Sequence, residues 1–214
     1  TNNTIKPWVD SFKSRLDHEE EAIITNTQAI EMADNNTVLV IVDVNKPSIT
    51  ECPDLLKYCR SVVVLDHHRQ GEEVVENATL SYVEPYASSA CEMVAEILQY
   101  VGDGIKVKGV EADCLYAGIM IDTRNFMNRT GVRTFEAAAA LRRYGAETER
   151  VRQLFDVTMV EYNAKADLVE KAQMYKNCAI SIGGEVAPEA RVAIAQAAND
   201  LLRIQGVDAS FVAV

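Results

Sequence analysis

The sequence predicts an α/β protein: a parallel β-sheet flanked by helices, followed by a connector helix and a partial, smaller α/β domain. Two observations predict the sheet, and a third predicts its helical cover. Residues 38–42 and 61–65 are continuous apolar runs, rich in valine, that each end at an aspartate. Runs that are apolar on both faces are typical of the central strands of a covered parallel sheet. Downstream of residue 88, apolar residues recur with the period of a helix.

The first two strands belong to a predicted βαβ unit. Residues 54–59, which follow Pro53, predict a short crossover helix between them. Ligands of such sheets bind beyond the carboxyl ends of the strands. Asp43 and the triplet Asp66-His67-His68 directly follow the two strands, so we expect them to lie at the binding edge of the sheet.

Helices are predicted for most of the chain after this sheet. Ser88 or Ser89 can cap the first of them, and Thr134 can cap the third. The five predicted helices cover roughly residues 90–101, 110–120, 134–144, 147–155 and 160–175.

The C-terminal pattern indicates a second domain. Residues 178–182 and 209–214 predict strands, and the segment from Pro188 to Arg203 predicts a helix between them. We therefore expect a first domain at residues 1–157, a connector helix at 158–176 and the start of a truncated second domain at 177–214.

The composition is that of an acidic globular protein. Hydrophobic residues make up 48% and charged residues 25% of the 214 residues, and the formal net charge is −11. Such a surface repels long polyanions, which argues against a long nucleic acid as partner. A small phosphate ester is not excluded, because a bound metal ion can reverse the local field. The five cysteines include no CxxC pair and predict reduced structural thiols, and no apolar run is long enough to cross a bilayer.

The triplet Asp66-His67-His68 is the strongest local indication of chemistry. Two adjacent histidines after a buried strand cannot both point into the sheet, whereas at a strand end both can reach a cleft. Imidazole and carboxylate together suit Mn, Fe or Zn ions. A polar loop with incidental histidines is the alternative, and the triplet alone leaves the two interpretations equally open.

Two further aspartates are candidate metal ligands. Asp43 ends the neighbouring strand, and its alternative is an Asx turn into Asn45-Lys46-Pro47. Asp122 is predicted at a helix C-terminus, where a carboxylate is electrostatically unfavourable and a cation would compensate it. The alternative for Asp122 is a hydrogen bond from Thr123 or a salt bridge to Arg124.

Four segments, in this order and spacing, resemble the DHH phosphoesterase superfamily. They are Val-Asp43-Val-Asn-Lys-Pro47, Leu-Asp66-His67-His68-Arg, Glu84-Pro-Tyr-Ala-Ser-Ser89 and Ala117-Gly-Ile-Met-Ile-Asp122-Thr-Arg-Asn-Phe126. The third segment, with Arg129-Thr130-Gly131 and the helix around Gln196, most resembles cyclic-di-AMP phosphodiesterases of the GdpP type. The resemblance runs through nearly all of the chain.

The resemblance implies a role for each candidate side chain. Asp43 would bridge two Mn²⁺ ions, His67 would bind one of them, and Asp122 the other. His68 would contact the phosphate or its developing charge, and Asp66 would orient a histidine from behind. Ser88, Ser89 and Arg129 would contact the substrate. The alternative for the two serines is helix capping, and the alternative for Arg129 is an ordinary surface charge.

Two features of the superfamily are absent from this sequence. Its members carry an early His-x-x-x-Asp-x-Asp motif with three further metal ligands, whereas His18 is followed by three glutamates. The Gly-Gly-Gly-His segment of the associated C-terminal domain is absent as well. We therefore expect an incomplete catalytic fragment, in which Asp43, His67 and Asp122 hold one metal ion weakly or none.

The implied activity is hydrolysis of cyclic-di-AMP to pApA by a water that two metal ions activate. The alternatives are a nano-RNase or pAp phosphatase of the same superfamily, and a non-catalytic module that keeps the fold. The implied partner is a cyclic dinucleotide or another small phosphodiester, and a homodimer is compatible with it. In GdpP-like proteins the catalytic part follows transmembrane helices. The resemblance therefore implies a signalling protein of the bacterial cell membrane, with this part soluble on the cytoplasmic face.

Overall fold

A computed structural model describes residues 6–15, 23–102, 104–184 and 191–214 of the chain. His18 and Pro188 lie outside these residues. The helices are α1 (Lys6–Arg15), α2 (Asn26–Met32), α3 (Leu55–Tyr58), α4 (Ala90–Leu98), α5 (Gly109–Asp122), α6 (Val132–Arg143), α7 (Thr148–Gln153), α8 (Met159–Glu170) and α9 (Val192–Leu201). The strands are β1 (Val38–Val42), β2 (Ser61–Asp66), β3 (Leu80–Val83), β4 (Gln173–Tyr175), β5 (Cys178–Ile182) and β6 (Ala209–Ala213).

The chain divides into two compact units. Residues 11–154 form one unit, and residues 155–214 belong to the other, together with the described residues up to Asp10. Among all described residues, no helix combines the length and the apolar character that a membrane span requires.

The sheet of the first unit contains three parallel strands in the order β1-β2-β3. Val38 of β1 pairs with Ser61 of β2, and Val63 of β2 pairs with Leu80 of β3. Because α3 connects β1 to β2, the predicted βαβ unit is confirmed. β3 was not predicted, since its four residues, Leu-Ser-Tyr-Val, form too short a run to indicate a strand.

The two predicted central strands differ in burial. β2 is central, with Val62 and Val64 almost fully buried. In β1, by contrast, Val38, Val40 and Val42 are about half exposed. Among the described residues, the prediction of a central strand that is buried on both faces is therefore correct for β2 and wrong for β1. The apolar run alone could not distinguish an edge strand from a central one.

Helices α4, α5 and α6 pack together as the main core of the first unit. The buried side chains of this core are mostly small: Ala95, Ala112, Ile119, Ala137, Leu141 and Ala146. Small side chains allow close approach of helix axes. α4 also contacts β2, so this helical layer is attached to the central strand of the sheet.

Gly118 sets the spacing between α4 and α5. A Cβ atom built on Gly118 would lie 3.2 Å from Cβ of Cys91 and closer still to its Sγ. Burial, together with the charges of Asp122 and Asp43, raises the pKa of the Cys91 thiol to about 12. Cys91 therefore stays a neutral packing side chain at this contact.

Two helix starts test the predicted caps. The Ser89 hydroxyl accepts a hydrogen bond from the Glu92 N–H at 3.0 Å, so capping of α4 by Ser89 is confirmed. α6 begins at Val132 instead of after Thr134. The Thr134 hydroxyl lies inside its first turn and accepts a hydrogen bond from the Gly131 N–H at 3.0 Å.

The second unit contains a separate three-stranded sheet. β4 pairs antiparallel with β5, and β6 pairs parallel with β5. Its core contains Ala179, Leu201 and Val207. The buried Ser181 hydroxyl donates a hydrogen bond to the Leu168 carbonyl, which attaches β5 to α8.

The helix predicted for residues 160–175 is wrong over its last five residues. α8 ends at Glu170, and β4 forms a hairpin with β5 across Lys176 and Asn177. Lys176 adopts a positive φ of 53° in that turn. No glycine or proline marks this hairpin in the sequence, so the turn conformation is decided by the strand pairing.

We predict that Gly118→Ala lowers the free energy of unfolding by about 1–3 kcal/mol, because the added methyl group overpacks the contact with Cys91. Helix propensity alone would stabilise the variant by up to about 1 kcal/mol, so the sign of the change separates the two effects. Urea denaturation measures it. Gly104→Ala is the control, because a Cβ there meets no atom within 4 Å. Equal stability of the two variants would contradict the prediction.

Candidate active site

Side chains from three elements converge at the carboxyl edge of the first sheet. Asp43 follows β1, the triplet Asp66-His67-His68 lies at the end of β2, and Asp122 is the last residue of α5. The elements are far apart in sequence, but the packing of α5 on α4 and of α4 on β2 brings their ends together.

One ring nitrogen of His67 lies close to the carboxylates of both Asp43 and Asp122. Its Nε2 atom is 3.3 Å from Asp43 Oδ1 and 3.7 Å from Asp122 Oδ2. The His67 side chain is 8% exposed, whereas the carboxylates of Asp43 and Asp122 are 58% and 37% exposed. The cluster is therefore anchored by a buried imidazole and opens towards solvent at its carboxylates.

Asp43 has a strained backbone. Its φ is +65°, in the left-handed region that only a small fraction of non-glycine residues adopt. The Asp43 N–H still donates to the Leu65 carbonyl at 3.0 Å, so the residue stays attached to β2 while the chain turns. In the described part of the chain, no backbone N–H donates an Asx-turn hydrogen bond to the Asp43 carboxylate. The conformation costs about 1 kcal/mol and directs the carboxylate towards His67.

The described structure shows neither of the two alternatives for Asp122, which were a hydrogen bond from Thr123 and a salt bridge to Arg124. The Thr123 hydroxyl donates to the Ile119 carbonyl at 2.6 Å instead of to Asp122. Arg124 forms no ion pair with Asp122, whose described ion pair is with His67. Burial raises the pKa of Asp122, the charge of His67 opposes that shift, and the charge of Asp43 adds to it.

Asp66 is fully buried and holds His68. Its Oδ1 atom accepts from the His68 N–H at 3.2 Å and lies 2.8 Å from His68 Nδ1. Both oxygens of Asp66 accept hydrogen bonds from backbone or amide N–H groups, so we assign Asp66 as the acceptor here as well and His68 Nδ1 as the donor. The arrangement fixes the tautomer and leaves Nε2 of His68 available to a ligand.

Asn45 completes the environment of Asp66, and sequence reasoning had not assigned it a role. Its buried amide donates to Asp66 Oδ2 at 2.5 Å and to the His68 carbonyl at 3.4 Å. Asn45 Oδ1 is buried and has no hydrogen-bond partner among the described residues. A polar residue two positions after Asp43 was the only indication in the sequence, and that pattern is common in turns.

The two predicted substrate-contacting serines have internal partners. Ser88 and Ser89 are buried, at 1% and 0% exposure. The Ser88 hydroxyl donates to the buried Glu92 carboxylate at 2.5 Å, and Ser89 caps α4. Their hydroxyls thus stabilise the start of α4, and a role in substrate contact stays a prediction.

A cavity of about 590 Å³ opens beside the two histidines. Its described lining comprises His67, His68, Arg69, Pro85, Tyr86, Ala87, Arg129, Thr130 and Gly131. None of these nine residues is acidic, although the whole chain carries a formal charge of −11. The cavity is thus a local basic region on an acidic protein, which suits an anionic ligand.

The donor set fits a divalent metal ion. Asp43, His67 and His68 each offer a ligand atom within 4.8 Å of the other two, and a carboxylate oxygen of Asp122 lies 3.7 Å from Nε2 of His67. Neighbouring donors around a six-coordinate ion lie about 3 Å apart when the bonds are about 2.1 Å. The distances of 3.3 Å and 3.7 Å from His67 Nε2 to the carboxylates of Asp43 and Asp122 are close to this spacing.

A family comparison agrees with this geometry. Residues 4–119 match the family model described as DHH family, N-terminal domain. The chain belongs to the DHH family.

Two relatives extend the comparison beyond the DHH domain. The chain is 44% identical over 191 residues to the cyclic-di-AMP phosphodiesterase GdpP of Bacillus subtilis (strain 168), an alignment that covers 88% of this chain and 29% of that protein. It is 42% identical over 191 residues to the cyclic-di-AMP phosphodiesterase PdeA of Listeria monocytogenes, covering 89% of this chain and 29% of that protein. The chain thus spans less than a third of the length of these relatives.

A solved structure supports the fold of this DHH chain. An exopolyphosphatase-related protein from Bacteroides fragilis superimposes with a TM-score of 0.69 at 18% sequence identity. The match covers 85% of this chain and 55% of that one. At this identity the likeness shows the shared α/β fold alone.

We predict that Asn45→Ala lowers the free energy of unfolding by about 2 kcal/mol, because it leaves a buried oxygen of the Asp66 carboxylate without its donor. Chemical denaturation measures the change. Asn26→Ala removes an exposed amide that donates to the Glu51 carbonyl at 2.8 Å, so the control should lose at most about 1 kcal/mol. An equal decrease in the free energy of unfolding in the two variants would contradict the prediction, because burial would then not increase the contribution of the Asn45 hydrogen bond.

We also predict that Asp122→Asn is more stable than the unchanged DHH chain at pH 7 in a metal chelator. A carboxylate whose folded-state pKa is raised costs free energy when ionised, and this cost disappears as the pH falls through the raised pKa. The advantage of the variant should therefore shrink on acidification. The control Asp34→Asn should change stability in the opposite direction, since hydrogen bonds from Asn36 and Thr37 lower the pKa of Asp34. A less stable Asp122→Asn protein would refute the assignment of an electrostatic cost to Asp122.

Proposed function

We propose that this chain is the catalytic DHH part of a metal-dependent phosphodiesterase that hydrolyses cyclic-di-AMP to pApA. The observation that carries the proposal is the position of the Asp43-His67-Asp122 cluster and His68 beside a cavity with a basic lining. The two GdpP-type relatives support the choice of substrate, because each is named for this activity.

We assign the metal-binding role to Asp43, His67 and Asp122. Bound there, divalent ions such as Mn²⁺, two in a complete site, would supply an activated water and neutralise charge on the phosphoryl oxygens. The buried His67 fixes the position of one donor, and the two half-exposed carboxylates can adjust around it. The raised pKa of Asp122 is consistent with this role, because a cation would compensate the cost of its charge.

We assign His68 to the substrate phosphate. Asp66 holds His68 Nδ1 at 2.8 Å, so Nε2 is the ring nitrogen left for the substrate, and in the protonated imidazole it can donate a hydrogen bond to a phosphate oxygen. Arg69 and Arg129 in the same lining can balance the remaining phosphate charge. Asp66 acts as a positioning residue because it touches His68 and is fully buried away from the cavity.

We further propose that an additional strand completes the metal site by pairing with the outer edge of β1. In the described residues β1 pairs with β2 on one side alone, and Val38 and Val40 are half exposed. A largely apolar cavity of about 280 Å³ lies beside Val42 and Asp43. A parallel strand added here would end next to Asp43. By resemblance to other DHH proteins, this strand would carry the His-x-x-x-Asp-x-Asp motif and supply the further metal ligands.

The remaining proposals concern the longer protein. By resemblance to GdpP-type proteins, residues 177–214 would begin the DHH-associated C-terminal domain. The longer protein would be held at the bacterial cell membrane by other segments, with this part on the cytoplasmic side. It would then act in cyclic-di-AMP signalling, and a homodimer is compatible with that arrangement.

The test is Mn²⁺-dependent hydrolysis of cyclic-di-AMP by a protein extended at both ends to include the motifs that this chain lacks. We expect pApA as product, and a loss of about 10²–10³-fold in kcat for His68→Ala, because one group that stabilises transition-state charge is removed. His18→Ala is the matched control, since His18 belongs to none of the site motifs. The Mn²⁺ content of each variant, measured by elemental analysis, separates loss of chemistry from loss of metal.

No turnover of cyclic-di-AMP by a folded, Mn²⁺-loaded protein would overturn the proposal. Hydrolysis of short RNA or pAp by that protein would indicate a nano-RNase or pAp phosphatase. Inactivity on all three substrates would indicate a non-catalytic module.

A further inference from the structure

Tyr86 has an unusual position in the wall of the basic cavity. It is 93% exposed, the highest exposure among the large hydrophobic side chains of the described residues. Its neighbours in the cavity lining include His68 and Arg69. An exposed aromatic ring in a site with a basic lining can stack on a planar ligand, because the face of the ring is not covered by the protein.

The turn that carries Tyr86 is fixed to the catalytic edge of the sheet. The Glu84 N–H donates to the Asp66 carbonyl at 2.8 Å, and the Ala87 N–H donates to the Glu84 carbonyl at 3.0 Å. The Glu84 side chain accepts a hydrogen bond from the Tyr86 N–H at 3.1 Å. The backbone of Tyr86 is therefore held, through Glu84, by the same residue that orients His68.

The other end of the turn is equally constrained. Ala87 is 4% exposed, and the buried Ser88 and Ser89 lead directly into α4. Tyr86 is thus an exposed ring between two anchored segments. A side chain presented on a fixed backbone loses little further freedom when a ligand stacks on it.

We propose that Tyr86 is the nucleobase platform of this site: its ring stacks on one base of the substrate while His68, Arg69 and Arg129 contact the adjacent phosphate. The inference rests on the proposed function and adds to it a residue that selects nucleotides over other phosphate esters. The cavity of about 590 Å³ has room for a mononucleotide unit. Any nucleobase can stack on an aromatic ring. Tyr86 would therefore favour ligands that carry a base over those that do not, without discriminating between different bases.

A second exposed tyrosine provides a matched control. Tyr100 is 87% exposed and follows α4. It lines a different groove, which contains Glu96 and Glu136 as well as arginines and none of the candidate metal ligands. Removal of Tyr100 tests whether loss of any exposed ring affects the protein.

The experiment compares two ligands that differ by the base alone. Binding of AMP and of ribose 5-phosphate to the extended, Mn²⁺-loaded protein is measured by calorimetry for the unchanged protein and for Tyr86→Ala, Tyr86→Phe, Tyr86→Leu and Tyr100→Ala. We expect Tyr86→Ala to weaken AMP binding by about 5- to 100-fold, as loss of one base–aromatic stack requires. Ribose 5-phosphate binding should be unaffected by that change. Tyr86→Phe should recover more AMP affinity than Tyr86→Leu, since only the first keeps a ring.

Kinetics provide an independent measurement. With cyclic-di-AMP as substrate, Tyr86→Ala should raise KM by a similar factor and change kcat much less, because stacking binds ground state and transition state alike. Tyr100→Ala should match the unchanged protein in both assays.

Two results would overturn the inference: equal weakening of AMP and ribose 5-phosphate in Tyr86→Ala, or no weakening of either. Failure of the proposed function gives a different result. A protein that does not hydrolyse cyclic-di-AMP but binds AMP more tightly than ribose 5-phosphate, and loses that preference in Tyr86→Ala, would retain the nucleobase site without the proposed activity.

Discussion

The buried carboxylate of Asp66 is the interaction on which the rest of the site depends. Its side chain accepts hydrogen bonds from Asn45 and His68, and its backbone carbonyl accepts from Glu84. Three loops after three strands are therefore joined at one residue. A charged group without exposure is stable only when such donors replace water. The fold meets this requirement by bringing the segments that carry Asp43, His68 and Tyr86 to fixed positions around it.

The helical layer supplies the second constraint, because it brings Asp122 to the sheet from a remote part of the sequence. Its alanine-rich core and the glycine at position 118 allow α5 to approach α4 closely. The end of α5 then places a carboxylate near His67, where burial raises its pKa. The protein thus maintains an electrostatically unfavourable group through packing, which is a common feature of sites that bind cations.

The charge distribution distinguishes the cavity beside the two histidines from the remaining surface. The chain is strongly acidic, yet the described cavity lining holds two arginines and two histidines and no carboxylate. Long-range repulsion by the acidic surface disfavours large polyanions, whereas a short-range basic lining still favours a small phosphate ester. The same lining contains the exposed aromatic ring of Tyr86, which carries no charge.

Much of the fold, and the proximity of Asp43 to His67 and His68, could be predicted from the sequence because these features depend on local patterns. Apolar runs predict β1 and β2, and an aspartate or an Asp-His-His triplet directly after such a run must lie at the carboxyl edge. The family resemblance, which rests on the same segments, agrees with the matched DHH model over residues 4–119. Of the two predicted helix caps, Ser89 does cap α4, whereas Thr134 lies inside the first turn of α6.

Other features were decided by tertiary structure alone. The exposed face of β1, the hairpin of β4 and β5 and the support of Asp66 by Asn45 depend on which segments become neighbours. The same holds for Tyr86: its segment carries part of the family resemblance, but its exposure and its place in the same cavity lining as His68 are known only from the folded chain. Sequence patterns determine which residues can form strands, helices and ligands, because those properties are local. Burial, partner choice and cavity shape are set by contacts between distant segments, and only the folded chain establishes them.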